Sequence, residues 1–534
     1  MRPRAAHPAR PRLQWPRPVI PSAPGRPPSE RLLLPPAMPS LFTPRHKAAP
    51  PEPGAVDTVT FSLISHTNVG KTTLARTLLR RDVGDALDQS HVTDVAEAYP
   101  MIEADGARLL LWDTPGFGDT ARLLKRLRTS GQPIRWMVSQ MWDRFRDRPL
   151  WCSQQAVCNV QDEADVVLYL VNASEKPDAA VYVTMEMEIL EWIGKPVMVL
   201  LNQTGPPRPS TDDELEESDW RSHLQRFPVV KAVIGMDAFA RCWVQEGELM
   251  DLIGPLLPEP KRRIFTALRR VWEKQHLDVF HQSMQALGEQ LAGNAADRVP
   301  VTRESVLQRL GVNRKELNDS MESAREGLSG RLSVRSVAAM DRMIVLHGLE
   351  GRSAKQIHPS GEAAFGVPSR INESLWSAVG GALSGAVGGI AAEIKTGGLL
   401  MGGGALTGIL LGGTGSYLLA KGFNLSRSDD HSVRWTEDHF AAQAEISLLC
   451  YLAVAHYGRG RGEWQDSVHP ELWRGLVHEV VHDHRRHFNH IWKHAGVKEP
   501  DMADITRECT RALTLCSLAL LRRLYPRVRL DWLS

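Results

Sequence analysis

Nine consecutive residues, Ser65-His66-Thr67-Asn68-Val69-Gly70-Lys71-Thr72-Thr73, carry the residue types that phosphate chemistry needs. A glycine followed by a lysine and a hydroxyl, set between a strand and a helix, makes a loop whose backbone N–H groups face a β-phosphate. In that reading Lys71 bridges the β- and γ-phosphates and the Thr72 hydroxyl takes one Mg²⁺ position. One departure stands in the loop: the pattern asks for glycine at its first position, and this chain has Ser65.

A second constellation follows downstream. Asp113-Thr114-Pro115-Gly116 closes an apolar run, where an aspartate can hold the Mg²⁺ shell through water and the Gly116 N–H can sense a γ-phosphate. Between the two lies the polar loop Ser90-His91-Val92-Thr93-Asp94. Thr93 is the expected switch residue, closing on Mg²⁺ only in a triphosphate state.

The elements that must position these residues are readable from hydrophobic period. The segments Val59–Ile64, Val95–Glu103, Arg108–Trp112, Asp165–Val171, Val197–Asn202 and Val229–Ile234 read as strands, with helical stretches between them. That alternation predicts an α/β domain with a mostly parallel sheet over residues 56–258, followed by an all-α region over 259–534. Pro258 and Pro260 mark the expected boundary. Residues 1–55 hold 16 of the 35 prolines and nine Lys/Arg against two Asp/Glu, a composition expected to stay disordered. Two readings of that tail are open, a basic arm for phosphates or anionic lipid and a segment with no role; Met38 is an alternative start to Met1. No long apolar run follows the basic start, so a cleavable signal peptide is not expected. The net charge of +2 argues neither for nor against nucleic acid, and six cysteines without a Cys-x-x-Cys pair point to a reduced, cytosolic-side protein.

The pattern Asn-x-Gly-Lys-Thr, a loop threonine and Asp-Thr-Pro-Gly resembles the Era/TrmE branch of bacterial P-loop GTPases. Ser65–Thr73, Asn202-Gln203-Thr204-Gly205, Asp237–Trp243 and, more loosely, Tyr451–Trp464 resemble one subgroup with a C-terminal domain of unknown function. The resemblance implies GTP hydrolysed to GDP, with Mg²⁺. Its guanine motif, Asn-Lys-x-Asp, is only half kept: Asn202 matches, but Gln203 replaces the lysine and Gly205 replaces the base-reading carboxylate. Selectivity for guanine is therefore expected to be reduced, adenine stays open, and Asp237 is a substitute acid to consider. Phe117 follows Gly116, where a water-orienting glutamine would sit. Era/TrmE-like enzymes share such a replacement and several use K⁺ beside the phosphates, which the resemblance assigns to Asn68; a loop-bracing hydrogen bond is the other reading of that residue.

Three further stretches invite function. Residues 121–164 interleave Arg122, Lys125, Arg126, Arg128, Arg135, Arg144, Arg146 and Arg148 with Trp136, Trp142 and Trp151, either a grip for RNA or lipid or a packed helix with solvated arginines. Ser374–Ala392 and Thr396–Ala420 run without charge and repeat glycine every four residues, the spacing of paired membrane helices; a buried hairpin is the alternative. Arg370, Lys421 and Arg427 flank them as expected for a cytoplasmic side. His478-Glu479-Val480-Val481-His482 has the spacing of a zinc hydrolase, with Glu499 or Glu508 as third ligand, against a reading of surface and packing histidines. The sequence thus predicts a GTPase switch at the cytoplasmic face of the inner membrane, with a nucleotide-dependent assembly protein as the alternative. Its protein effector is unidentified, and its nucleotide-driven domain works on a helical one.

Overall fold

The computed structural model describes residues 57–80, 96–129, 133, 147–204, 210–238, 242–300, 314–349, 423–425, 432–457, 471–528 and 530. Thr93, Gly205, the N-terminal tail with Met38, and the glycine-rich stretch Ser374–Ala420 with Arg370, Lys421 and Arg427 lie outside them.

Six strands form one sheet in the order β2-β3-β1-β4-β5-β6. They are β1 (Asp57–Ser65), β2 (Glu97–Ala104), β3 (Ala107–Asp113), β4 (Val166–Asn172), β5 (Val197–Asn202) and β6 (Val230–Gly235). All pairs are parallel except β2 with β3, whose chain reverses at Asp105-Gly106, both with positive φ. The central strands are buried on both faces, so their side chains alternate between two cores. Val166, Leu168 and Leu170 of β4 join one, while Val167, Tyr169 and Val171 join the other. Helices α1 (Lys71–Leu79), α2 (Thr120–Leu127), α3 (Arg148–Asp162), α4 (Val181–Ile193), α5 (Ser210–Leu224) and α6 (Trp243–Ile253) connect and cover the strands. The α/β class and the helical region after it are as the sequence predicts.

Helix α7 (Glu259–Ala296) starts where the sequence predicts a boundary, at Pro258 and Pro260, and runs on for 38 residues, about 57 Å at 1.5 Å per residue. Its first half packs Phe265, Leu268 and Trp272 into the sheet core. Its second half sends Phe280, Met284, Leu287 and Leu291 into a separate helical core. That core is built with α8 (Arg314–Leu346), α9 (Glu437–Ala455), α10 (Glu471–Asp483), α11 (Arg485–His494) and α12 (Met502–Leu524). A small antiparallel sheet joins β7 (Arg298–Pro300), β9 (Ser432–Trp435) and β8 (Phe423–Leu425), in that order. Helices α7 and α12 cross at Gly288, where a Cβ would stand 2.9 Å from the Thr510 backbone nitrogen, so only glycine lets the two backbones meet. Among the described residues no helix is long and apolar enough to cross a membrane.

Candidate functional site

The loop from Ser65 to Gly70 leaves the carboxyl end of β1, beside β3 and β4, where open α/β sheets place their ligands. Its turn uses two positive-φ residues, Asn68 at 66° and Gly70 at 92°. Gly70 accepts the first helical bond, from Leu74 N at 3.0 Å, so the N–H groups opening α1 stay free of the ladder. Two partners hold the loop in place. Phe117 N donates to Ser65 O at 2.9 Å and Thr67 N donates to Phe117 O at 3.2 Å, stitching the loop to the turn after β3. On the other side Asn202 Nδ2 donates to Val69 O at 2.6 Å, while its Oδ1 accepts from Ala238 N at 2.8 Å. Asn202 is fully buried, so one side chain fixes the phosphate loop, the end of β5 and the loop after β6.

This close approach requires glycine at position 70 and leaves little room at position 116. A Cβ on Gly70 would lie 2.7 Å from Asn202 Nδ2, and one on Gly116 would lie 3.2 Å from the Thr67 Cα and N atoms. Ser65, in place of the first glycine, is fully buried at the end of β1, and its hydroxyl turns onto the His66 carbonyl at 2.5 Å. Thr73 sits in the first turn of α1, where its carbonyl accepts from Thr77 Oγ1 at 2.9 Å.

The chemistry-bearing side chains converge at the head of α1. Thr72 Oγ1 donates to Asp113 Oδ2 at 2.7 Å. Asp113 is buried and its other oxygen, Oδ1, has no hydrogen-bond partner. Lys71 is also buried; loss of water lowers its pKa, which the charge of Asp113 opposes. Burial likewise raises the Asp113 pKa, against the pull of Lys71 and of the Thr72 hydroxyl. An orphaned carboxylate oxygen beside a hydroxyl fits a hard divalent cation, which takes oxygen donors. Mg²⁺ therefore suits Thr72 and Asp113.

A network that sequence reading missed flanks the loop. His66 Nδ1 meets Glu186 Oε1 at 2.7 Å, and the imidazole stacks on Tyr182 with ring centroids 4.4 Å apart. Thr120 Oγ1 donates to the same oxygen at 2.8 Å and Tyr169 OH donates to Oε2 at 2.6 Å. Burial alone would lower the His66 pKa, but the hydrogen bond and charge of Glu186 outweigh it and the net shift is upward. Glu186 thus links the phosphate loop to Thr120, which opens α2. The signal available in sequence was weak: Glu186 lies on α4 at the spacing of the buried residues Val183, Met187 and Leu190.

The base-reading end is only partly described. Gln203 has φ 61°, and Thr204 donates to Asp237 Oδ2 through its N at 2.8 Å and its hydroxyl at 3.1 Å. Asp237 therefore holds Thr204, the last described residue of that motif. Phe117 is fully buried in the core, away from any water-orienting role. Of the basic insertion, Arg122 pairs with Asp147 at 2.5 Å and Arg128 with Glu188 at 2.6 Å, while Arg135, Arg144, Arg146, Trp136 and Trp142 lie outside the described residues. His478 Nδ1 contacts Glu445 Oε1 at 3.0 Å, and its ring is 6.5 Å from that of His482. Glu508, one expected third ligand for that pair, stands instead against His490 and His494.

Residues 60–203 match the family model described as 50S ribosome-binding GTPase, and the chain accordingly carries a GTP-binding P-loop GTPase domain. No curated protein matches the chain. Among solved structures, Aquifex aeolicus Era bound to GDP·AlF4⁻ is 18% identical over 38% of this chain and 58% of its own, with a TM-score of 0.28. Era in complex with MgGDPNP and a fragment of 16S ribosomal RNA gives the same figures, 18%, 38%, 58% and 0.28. S. thermophilus NFeoB bound to GDP·AlF4⁻ and K⁺ is 13% identical over 54% of this chain and 98% of its own, with a TM-score of 0.22. The aligned part thus spans 58% of the Era chain.

Proposed function

We propose that the P-loop GTPase domain hydrolyses GTP to GDP as a switch, and that its nucleotide state is passed to the helical region at a membrane surface. The observation that carries the hydrolytic reading is the Thr72–Asp113 pair at 2.7 Å beside the buried Lys71, with Asp113 Oδ1 unpartnered. Mg²⁺ bound there would neutralise phosphate charge, with Thr72, Asp113 through water and, in the triphosphate state, Thr93 as its protein partners. Lys71 bridges the β- and γ-phosphates. Gly116, held against Thr67, offers its N–H to the γ-phosphate. Catalysis of this kind is positioning plus charge neutralisation, and the loop is positioned from both sides by Phe117 and Asn202. Asn68 is proposed to hold K⁺ beside the phosphates.

The membrane part of the proposal rests on the sequence of 374–420, two charge-free runs with glycine faces. On that reading the protein works at the cytoplasmic face of the inner membrane and contacts lipid through this stretch; RNA through the basic insertion is the less favoured partner. Deleting residues 374–420 from the full chain should release it from the membrane fraction with nucleotide binding kept. Full-length protein recovered without detergent would overturn the membrane reading.

A second reading has its own support. Phe117, where a water-orienting side chain would act, is wholly buried, which suits a protein that binds nucleotide for assembly and turns it over negligibly. Single-turnover GTP hydrolysis by wild type and Lys71→Ala, each with Mg²⁺, separates the two. A wild-type rate above background that Lys71→Ala abolishes supports the switch. Equal background rates with binding retained in the wild type support assembly.

A further inference from the structure

The C-terminal helices hold a second constellation that owes nothing to the nucleotide site. His490 and His494, four apart on α11, lie on one face of that helix, and Glu508 reaches them from α12. Each carboxylate oxygen faces a different imidazole: Oε1 is 3.8 Å from His490 Nε2 and Oε2 is 3.4 Å from His494 Nδ1. Among the described residues, this is the group of three His, Cys, Asp or Glu side chains whose ligand atoms all fall within 4.8 Å of one another. We propose that His490, His494 and Glu508 form a binding site for a first-row divalent transition metal, with Zn²⁺ as its fitting probe.

The geometry suits such an ion. Donors sharing a tetrahedral Zn²⁺ at 2.0–2.1 Å lie about 3.3 Å apart, so the observed separations need only small side-chain rotations. Two imidazoles and a carboxylate are the donors that suit Zn²⁺, Co²⁺ or Ni²⁺, whereas Mg²⁺ and Ca²⁺ take oxygen. The frame is rigid. Phe488 and Ile491 on α11 are buried in the same core as Ile505 and Cys509 on α12, which fixes the two helices before any ion arrives. Arg507, the neighbour of Glu508, is held by Asp504 at 2.6 Å. His490 is 73% exposed, so the ion has an open path. The thiols of Cys509 and Cys516 are fully buried in the helical core and are not part of this group. Bound metal would pin α11 to α12, and α12 packs along the α7 helix that serves both cores. The site shares no residue with the Thr72–Asp113 centre.

Zn²⁺ titration of the nucleotide-free full chain by calorimetry, with Co²⁺ absorption as a second readout, tests this. One ion per chain is expected, with tetrahedral Co²⁺ bands, and His494→Ala or Glu508→Gln should weaken binding at least tenfold and abolish the bands. His478→Ala and His482→Ala remove the other i, i+4 histidine pair and should leave both unchanged. Circular dichroism confirms that each variant is folded. Wild-type affinity in folded His494→Ala and Glu508→Gln, or loss of binding in His478→Ala instead, would overturn the assignment.

Discussion

The indole Nε1 of Trp243 donates to the hydroxyl of Tyr451 at 3.3 Å, joining residues 208 apart in the chain. Trp243 opens α6 just after the loop that Asn202 fixes, and Tyr451 lies near the C-terminal end of α9. Phe280 of α7 lies against both, 6.1 Å from the Trp243 ring and 5.7 Å from that of Tyr451. Arg80, at the end of the phosphate-loop helix α1, senses the same place: burial lowers its pKa to about 10, opposed by Cys242 and Tyr451. The nucleotide-binding helix and the helical core therefore share one buried seam. Replacing Trp243 by alanine should cost about 3–5 kcal/mol of stability, as for other buried aromatics. Tyr451→Phe, which removes only the hydroxyl, should cost about 1 kcal/mol. Urea denaturation of the full chain measures both, and equal effects would deny the seam its packing role.

Gly70 is the residue least replaceable in the loop. Alanine there meets Asn202 Nδ2 at 2.7 Å and adopts φ 92°. A strain of about 1–3 kcal/mol is expected, which at about 1.4 kcal/mol per decade weakens nucleotide binding roughly five- to a hundred-fold. A fluorescent GTP titration of Gly70→Ala reads this directly.

Potassium dependence is expected from Asn68. Hydrolysis should be faster in K⁺ than in Na⁺ at equal ionic strength, and Asn68→Gly should remove the difference with binding kept. Glycine is the appropriate replacement because φ is 66° there, a conformation in which alanine would add strain. Equal wild-type rates in both salts would leave Asn68 as a loop residue alone.

Base preference should be weaker than in a site with a full Asn-Lys-x-Asp motif, with GTP still binding more tightly than ATP. Asp237, whose Oδ2 holds Thr204, organises that end of the pocket. Asp237→Asn should weaken GTP more than ATP. Competition binding with both nucleotides checks it, and tighter ATP binding by the wild type would refute the guanine reading.

The His66–Glu186 pair predicts a pH dependence with a defined sign. The folded His66 pKa lies above its ordinary 6.5, so the protonated form is favoured by folding. That contribution is fully present below pH 6.5 and is lost as pH rises through the raised folded value. Glu186→Gln should flatten the difference. Melting temperatures of wild type and Glu186→Gln at pH 6 and pH 9 give the test: the gap between the proteins should be larger at pH 6.

Much of the nucleotide domain was legible from sequence because its signals are local. The run Val59–Ile64 became Asp57–Ser65, Arg108–Trp112 became Ala107–Asp113, and Val197–Asn202 kept its ends; the last, buried on both faces, is a continuous apolar segment, while the first alternates with Thr60 and Ser62. Gly70 and Lys71 were equally plain, as a left-handed turn followed by a helix start leaves few residue choices. Tertiary structure decided what depends on distant partners. Asn202, matched by sequence to a base-reading motif, spends both ends of its amide on Val69 and Ala238, and nothing near it in the chain announces either. Glu186 is 120 residues from His66, and an acid on an apolar helix face has no periodic signature of its function. The histidine spacing of His478 and His482 drew attention in sequence, yet Glu508 meets His490 and His494 instead. Many histidine pairs share one helix face; which of them meets a carboxylate is settled only by how α11 packs on α12.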